Sequence, residues 1–211
     1  ADRVFEAASE GFDTVLATVS FALEAGQAIE RLSAADTSAT DAVDLTGNAF
    51  DNELIGNDGN NVLNGRLGGN DTLRGNGGDD TYLVDRQSDT VFEAVGDGYD
   101  AIVTFNTHYV LPAGQEIEEL RVSGPAGPGW NLTGNEFDNY LQGNDNSNVL
   151  DGREGARPPR LLLAQNSPFT PLVDDDHDLS RRLRGGTARP LLRAAHPLGE
   201  AARRGRAPGG A

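Results

Sequence analysis

Cysteine, methionine and lysine are all absent from the 211-residue chain, so its 17 basic residues are all arginine. Without cysteine there is no disulfide and no thiolate-bound zinc, which excludes a disulfide-stapled mini-domain. Aromatic residues make up only 6% of the chain, too few for a conventional large core. No apolar run approaches the roughly 20 residues of a membrane span. Neither an initiator methionine nor a charged-then-apolar leader stands at the N-terminus, and the chain reads as an excerpt of a longer one.

The residues that are plentiful point toward cations. With 33 Asp and Glu the formal charge is -16 and the pI about 4.4. Such a surface repels the phosphates of nucleic acids and anionic lipids, so neither is expected as a partner. The 27 glycines are roughly twice average usage, which makes for a turn-dense fold. The charge is also unevenly placed. Residues 1–155 hold 28 acidic residues against 7 arginines, net -21, whereas residues 156–211 hold 5 against 10, net +5. A break this sharp marks a boundary.

Before that boundary the chain repeats itself. Leu45–Gly68 matches Leu132–Gly155 at 17 of 24 positions. ADRVFEAASEGFDTV (1–15) returns as SDTVFEAVGDGYDAI (88–102), which gives a unit of about 87 residues. Within each unit lies a period of nine. It runs GNAFDNELI (47–55), GNDGNNVLN (56–64), GRLGGNDTLR (65–74, one residue long) and GNGGDDTYL (75–83), then GNEFDNYLQ (134–142), GNDNSNVLD (143–151) and a broken GREGA (152–156). Six residues rich in Gly, Asn and Asp form a turn, and three residues around one aliphatic form a short strand. One large side chain per repeat, at Leu54, Leu63, Leu73, Tyr82, Leu141 and Leu150, predicts a ladder inside an all-β parallel solenoid.

The repeats resemble the repeats-in-toxin (RTX), or hemolysin-type, calcium-binding family, whose motif is GGxGxDxUx. GNGGDDTYL is the best copy. The likeness is specific over 47–83, good over 134–155, weaker in the spacers 1–46 and 84–133, and absent from 156–211. It implies a parallel β-roll that binds calcium in its turns, unfolded in a low-calcium cytoplasm, exported by a type I secretion route and folded outside the cell. In the family pattern the sixth residue of the nonapeptide gives a carboxylate and the first and third give carbonyls. Each ion lies between two turns stacked on one edge.

Carried onto this chain, one site lies between turns 56–61 and 75–80, with Asp80 and Asn61 and the carbonyls of Gly56, Asp58, Gly75 and Gly77. A second lies between 47–52 and 66–71, with Asp71 and Asn52. Each has a single aspartate at the family position, so the expected affinity is weak, in the ~10⁻⁴–10⁻³ M range of extracellular modules. The extra residue in 65–74 places the register of Asp71 in question. The second block, 134–155, carries only asparagine there, and its turns are expected to be built by Asn and Gly without an ion.

The spacers carry short β-branched segments, DTVFEA (89–94), AIVTF (101–105), THYVL (107–111) and EELRV (118–122), read as further rungs. One solenoid is thus expected through residue 155, its central spacer lacking calcium turns. Past Gly155 the motif breaks into Arg157-Pro158-Pro159 and never returns, as a shifted reading frame or a genuine basic tail would produce. That composition predicts disorder or a loosely held helix around 189–204.

Elsewhere, Asp174-Asp175-Asp176-His177-Asp178 reads as a solvated acidic run. His108-Tyr109 lacks the partner motif that catalysis needs, and His196 carries no argument. No HExxH, G-x-S-x-G or phosphate loop is present. The expectation is therefore a non-enzymatic calcium module of a secreted bacterial protein, with calcium as its cofactor and any glycan or host-protein partner unidentified. Two alternatives stay open: a polysaccharide-processing β-helix, and a structural spacer of an adhesin.

Overall fold

A computed structural model describes residues 4, 6, 11–105, 107–124 and 129–153, together with the backbone of 160–162. In chain order the strands are β1 (Thr14–Ala17), β2 (Phe21–Ala22), β3 (Arg31–Ala34), β4 (Leu45–Thr46), β5 (Glu53–Ile55), β6 (Val62–Asn64), β7 (Thr72–Arg74) and β8 (Thr81–Val84). They continue as β9 (Thr90–Phe92), β10 (Ala101–Phe105), β11 (Tyr109–Val110), β12 (Glu119–Ser123), β13 (Leu132–Thr133), β14 (Tyr140–Gln142), β15 (Leu150–Asp151) and β16 (Arg160–Leu162). Among the described residues there is no helix, hence none long and apolar enough to cross a membrane.

Every strand pair is parallel, and each strand pairs with the strand two places on in the chain, except that β9 does not pair with β11. The even-numbered strands β2 to β16 make one eight-stranded sheet; β1, β3, β5, β7 and β9 make a second sheet, and β11, β13 and β15 a third. Because consecutive strands lie in different sheets, the chain winds as a β-solenoid, one coil for every two strands. The expected rungs of the central spacer are there as β9, β10, β11 and β12.

The period of nine sets the interior. Leu32, Leu54, Leu73 and Val91 are register partners in one sheet. Leu45, Leu63, Tyr82, Ile102, Leu120 and Leu141 form the same series in the eight-stranded sheet. All of these are essentially inaccessible to solvent. Burial of each aliphatic side chain contributes about 1.5–3 kcal/mol. With so few large side chains per coil, little apolar stabilisation is left over to offset buried charge.

Two features of the ladder differ from expectation. The extra residue of 65–74 leaves the register intact: Gly68 and Gly69 take left-handed φ values of 101° and 90°, absorbing it in the turn, and Leu73 still faces Leu54. The solenoid also extends beyond Gly155, since Arg160–Leu162 pairs in parallel with Tyr140–Gln142. Residues 154–159 and 163–211 lie outside the described residues. The expectations for the rest of the Arg/Pro-rich tail fall there, including the helix around 189–204, the Asp174–Asp178 run and His196.

Candidate metal centre

Coiling brings the repeat turns into two stacks, one on each edge of the solenoid. Turns 47–52, 65–71 and 85–89 share the first edge. Turns 56–61, 75–80 and 93–100 share the second, followed by 112–118 and 134–139. Both turn pairs singled out from the sequence are therefore neighbours in space. Backbone bonds lock the stacks, for example Thr72 N–H to Asn52 O at 2.8 Å and Thr81 N–H to Asn61 O at 2.9 Å.

In turns 47–52, 56–61, 65–71, 75–80 and 134–139 the residue two places before the apolar rung is buried, and its chemistry separates two kinds of turn. Where it is asparagine, both ends of the amide are hydrogen-bonded. Asn52, Asn61 and Asn139 each accept, through Oδ1, the N–H of the second residue of their own turn, at 2.7, 2.8 and 2.8 Å. Their Nδ2 groups donate to Ile29 O, Asn57 Oδ1 and Ile117 O. The second-position asparagines 48, 57 and 135 close the turn by accepting the N–H two residues on and by donating to a carbonyl of the preceding coil. These turns satisfy their own polar groups.

Where the sixth residue is aspartate, half of the carboxylate is left over. Asp71 Oδ1 accepts the Asn52 N–H at 2.8 Å and Asp80 Oδ1 accepts the Asn61 N–H at 2.7 Å. Asp71 Oδ2 and Asp80 Oδ2 are buried with no hydrogen-bond partner. Both residues are only 1% exposed. Opening glycines make room for them. A Cβ at Gly65 would lie 2.7 Å from Asp71 Oδ2, and one at Gly75 would collide with Asp80 Oδ2 and the Tyr82 hydroxyl.

The ladder of sixth-position acids continues past the repeats. Asp89 Oδ1 accepts the Asp71 N–H at 3.1 Å, Asp100 Oδ1 the Asp80 N–H at 2.9 Å, and Glu118 Oε2 the Asp100 N–H at 2.7 Å. Glu93, directly after β9, joins them, and its Oε1 accepts a hydrogen bond from the Tyr82 hydroxyl. One ligand oxygen from each of Asp80, Glu93 and Asp100 lies within 4.8 Å of the others. Sequence reasoning missed Asp89, Asp100 and Glu118, although each stands two residues before a buried Val91, Ile102 or Leu120, the spacing of the repeat itself.

Crowding of like charges away from water favours the neutral acids. Burial raises Asp71 to about 8, with Asp89, Asp85 and Asp51 adding repulsion against the lowering effect of the Asn52 N–H. It raises Asp80 and Asp100 to about 7, and Glu93, which faces Asp100, Asp80, Asp97 and Glu118, to about 9. No ion pair among the described residues reaches these four carboxyls. Hard oxygen donors, surplus negative charge and orphaned buried oxygens together fit a hard divalent cation.

The family model for the RTX calcium-binding nonapeptide repeat (4 copies) matches residues 44–68, 67–91 and 131–156. Those segments carry RTX-type nonapeptide repeats. No curated protein and no solved structure matches the chain. The RTX match covers both blocks recognised from their glycines and stops before Glu93 and Asp100. Of the carbonyls assigned to the second-edge site, Gly75 O lies 2.8 Å from where a Cβ on Gly56 would stand, so it faces the neighbouring turn. Gly56 O instead accepts Asn76 Nδ2 at 2.9 Å. Asn76 occupies the second position in a left-handed conformation, φ 76°. His108 has a structural occupation: its Nδ1 accepts the Asn131 N–H at 2.8 Å and its ring stands edge-on to Trp130.

Proposed function

We propose that the chain is a non-enzymatic, calcium-responsive folding module of a larger secreted protein, exported by a type I route and ordered once it meets extracellular calcium. The observation that carries this reading is the contrast between the two kinds of turn. Asparagine turns close on themselves, whereas Asp71 and Asp80 each bury an oxygen that has no hydrogen-bond partner among the described residues. A buried, unpaired carboxylate is costly enough to neutralise or to demand a partner.

In the first-edge site Asp71 and Asn52 would hold the ion; in the second, Asp80 and Asn61 with the carbonyl of Gly75, which faces turn 56–61. Bound calcium supplies positive charge and a large, flexible coordination shell of oxygens. The chain's own part is to keep those oxygens poised by one backbone N–H each, to hold water away with the aliphatic ladder, and to repel itself apart when no cation is present. Because the cage exists only in the coiled state, binding energy becomes folding energy.

A far-UV circular dichroism titration with calcium to ~10 mM, with magnesium in parallel, tests the reading, since magnesium holds its waters and demands octahedral geometry. A calcium-specific gain of β signal supports it. A spectrum equally folded in chelator and in calcium would make the solenoid a metal-independent scaffold.

A further inference from the structure

We propose that Asp80, Glu93 and Asp100 form a further divalent-cation site, in which Glu93 and Asp100 of the spacer, beyond the segments that carry the RTX motif, meet Asp80 of the last repeat turn. It shares Asp80 with the second-edge repeat site and has no residue in common with the first-edge site of Asp71. Three carboxylates converge with one ligand oxygen each within 4.8 Å of the others. The residues are 1%, 5% and 1% exposed. Two of their oxygens, Asp80 Oδ2 and Glu93 Oε2, are buried without any hydrogen-bond partner.

The surroundings hold these groups in place without neutralising them. Tyr82 donates to Glu93 Oε1, the Glu93 N–H donates to Gln115 Oε1 at 2.6 Å, and the Asp100 N–H donates to Glu118 Oε2 at 2.7 Å. Asp100 Oδ1 in turn accepts from the backbone of Asp80. Among the described residues no arginine forms an ion pair with any of the three. Gly75 keeps the space open, because a Cβ there would run into both Asp80 Oδ2 and the Tyr82 hydroxyl.

The local sequence explains how this differs from a repeat turn. Glu93 follows β9 at the place where a glycine follows β4, β5, β6 and β7, so the turn 93–100 opens on a carboxylate where the repeats open on an empty position. The same turn ends Gly96-Asp97-Gly98-Tyr99-Asp100, and Gly98 lies against the Gly78 carbonyl as a close backbone approach. Three acids in place of one acid and one amide raise the charge of the donor set, which is the chief lever on calcium affinity. All donors are hard oxygens, and the dry, three-carboxylate cavity suits calcium over magnesium, which keeps several waters. This site is accordingly the tightest of the chain.

Calcium-binding isotherms of the full 211-residue chain, compared with Glu93→Gln, test the proposal. Glutamine retains an acceptor for Tyr82 but removes the charge. The expected result is loss of one bound calcium per chain from the tightest class, with the weaker repeat-turn class retained. Unchanged stoichiometry and affinity in Glu93→Gln would overturn this site while leaving the repeat sites standing; no calcium binding by the wild type would overturn both. Terbium luminescence gives a readout that survives poor folding of that variant. Tyr82, hydrogen-bonded to Glu93, should sensitise the ion, so Tyr82→Phe at equal bound terbium should lose most of the sensitised emission, and retained emission would overturn the assignment.

Discussion

Acidifying the calcium-free chain from about pH 8 to about pH 4 should stabilise its fold, and the buried carboxyls set both the sign and the size of the effect. Asp71 is held up to about 8, Asp80 and Asp100 to about 7, and Glu93 to about 9, in every case mainly by burial. In the unfolded chain the same groups release their protons near pH ~4. Between those limits the folded state keeps protons that the unfolded state has lost, so stability falls by about 1.4 kcal/mol per pH unit per group. Below the unfolded values the penalty is absent, and above the folded values it is complete. At about pH 7, Asp71 alone therefore costs the metal-free fold about 4 kcal/mol, and two such groups already reach into the roughly 5–15 kcal/mol of a whole domain's stability. Circular dichroism in chelator across this range, on wild type and Asp71→Asn, isolates the contribution from the general relief of net charge. Asparagine at this position should raise the unfolding free energy at neutral pH by up to about 4 kcal/mol and change nothing at about pH 4. A calcium-free chain that loses β signal on acidification, or a gain in Asp71→Asn that persists at about pH 4, would refute the reasoning.

Other outcomes follow from the same geometry. Asn61→Asp, which places a second aspartate in the second-edge site, should tighten calcium binding there roughly tenfold and weaken the fold in chelator, as paired calcium and urea titrations would register. Gly75→Ala should cost about 3 kcal/mol or more, because its Cβ meets Asp80 and Tyr82. Gly114→Ala, with open space around it and only a left-handed φ of 79° to strain, should cost about 1–2 kcal/mol in the same thermal assay. Leu63→Ala, in the ladder between Leu45 and Tyr82, should lose about 2–5 kcal/mol while leaving the number of bound calcium ions unchanged.

The ladder was legible in advance because a period of nine with one large apolar residue admits few ways to bury it. Leu54, Leu63, Leu73, Tyr82, Leu141 and Leu150 all occupy the interior positions that period assigns. The pairing of turns 56–61 with 75–80, and of 47–52 with 65–71, followed from the alternation of edges. What escaped was the spacer. There the glycines that advertise a repeat are largely gone, but the inward acid two residues before the apolar rung persists at Asp89, Asp100 and Glu118, since backbone N–H groups of the neighbouring coil still need that oxygen. Glu93 lies outside the nonapeptide signature, although the 87-residue unit pairs it with Glu6. It reaches the cluster only because the eight residues 93–100 fill a turn that takes six in the repeats, a consequence of coiling that a linear motif does not display. The register of Asp71 was likewise decided by local backbone freedom at Gly68 and Gly69.

Hydrogen exchange of the backbone amides, in calcium and in chelator at neutral pH, tests most directly whether cation binding and folding are one event. The account predicts strong protection in calcium across β5 to β10, centred on the partners of Asp71, Asp80 and Asp100, and its collapse throughout that span when calcium is removed. Equal protection of those amides in chelator would contradict it, because the buried carboxylates would then be tolerated without any cation.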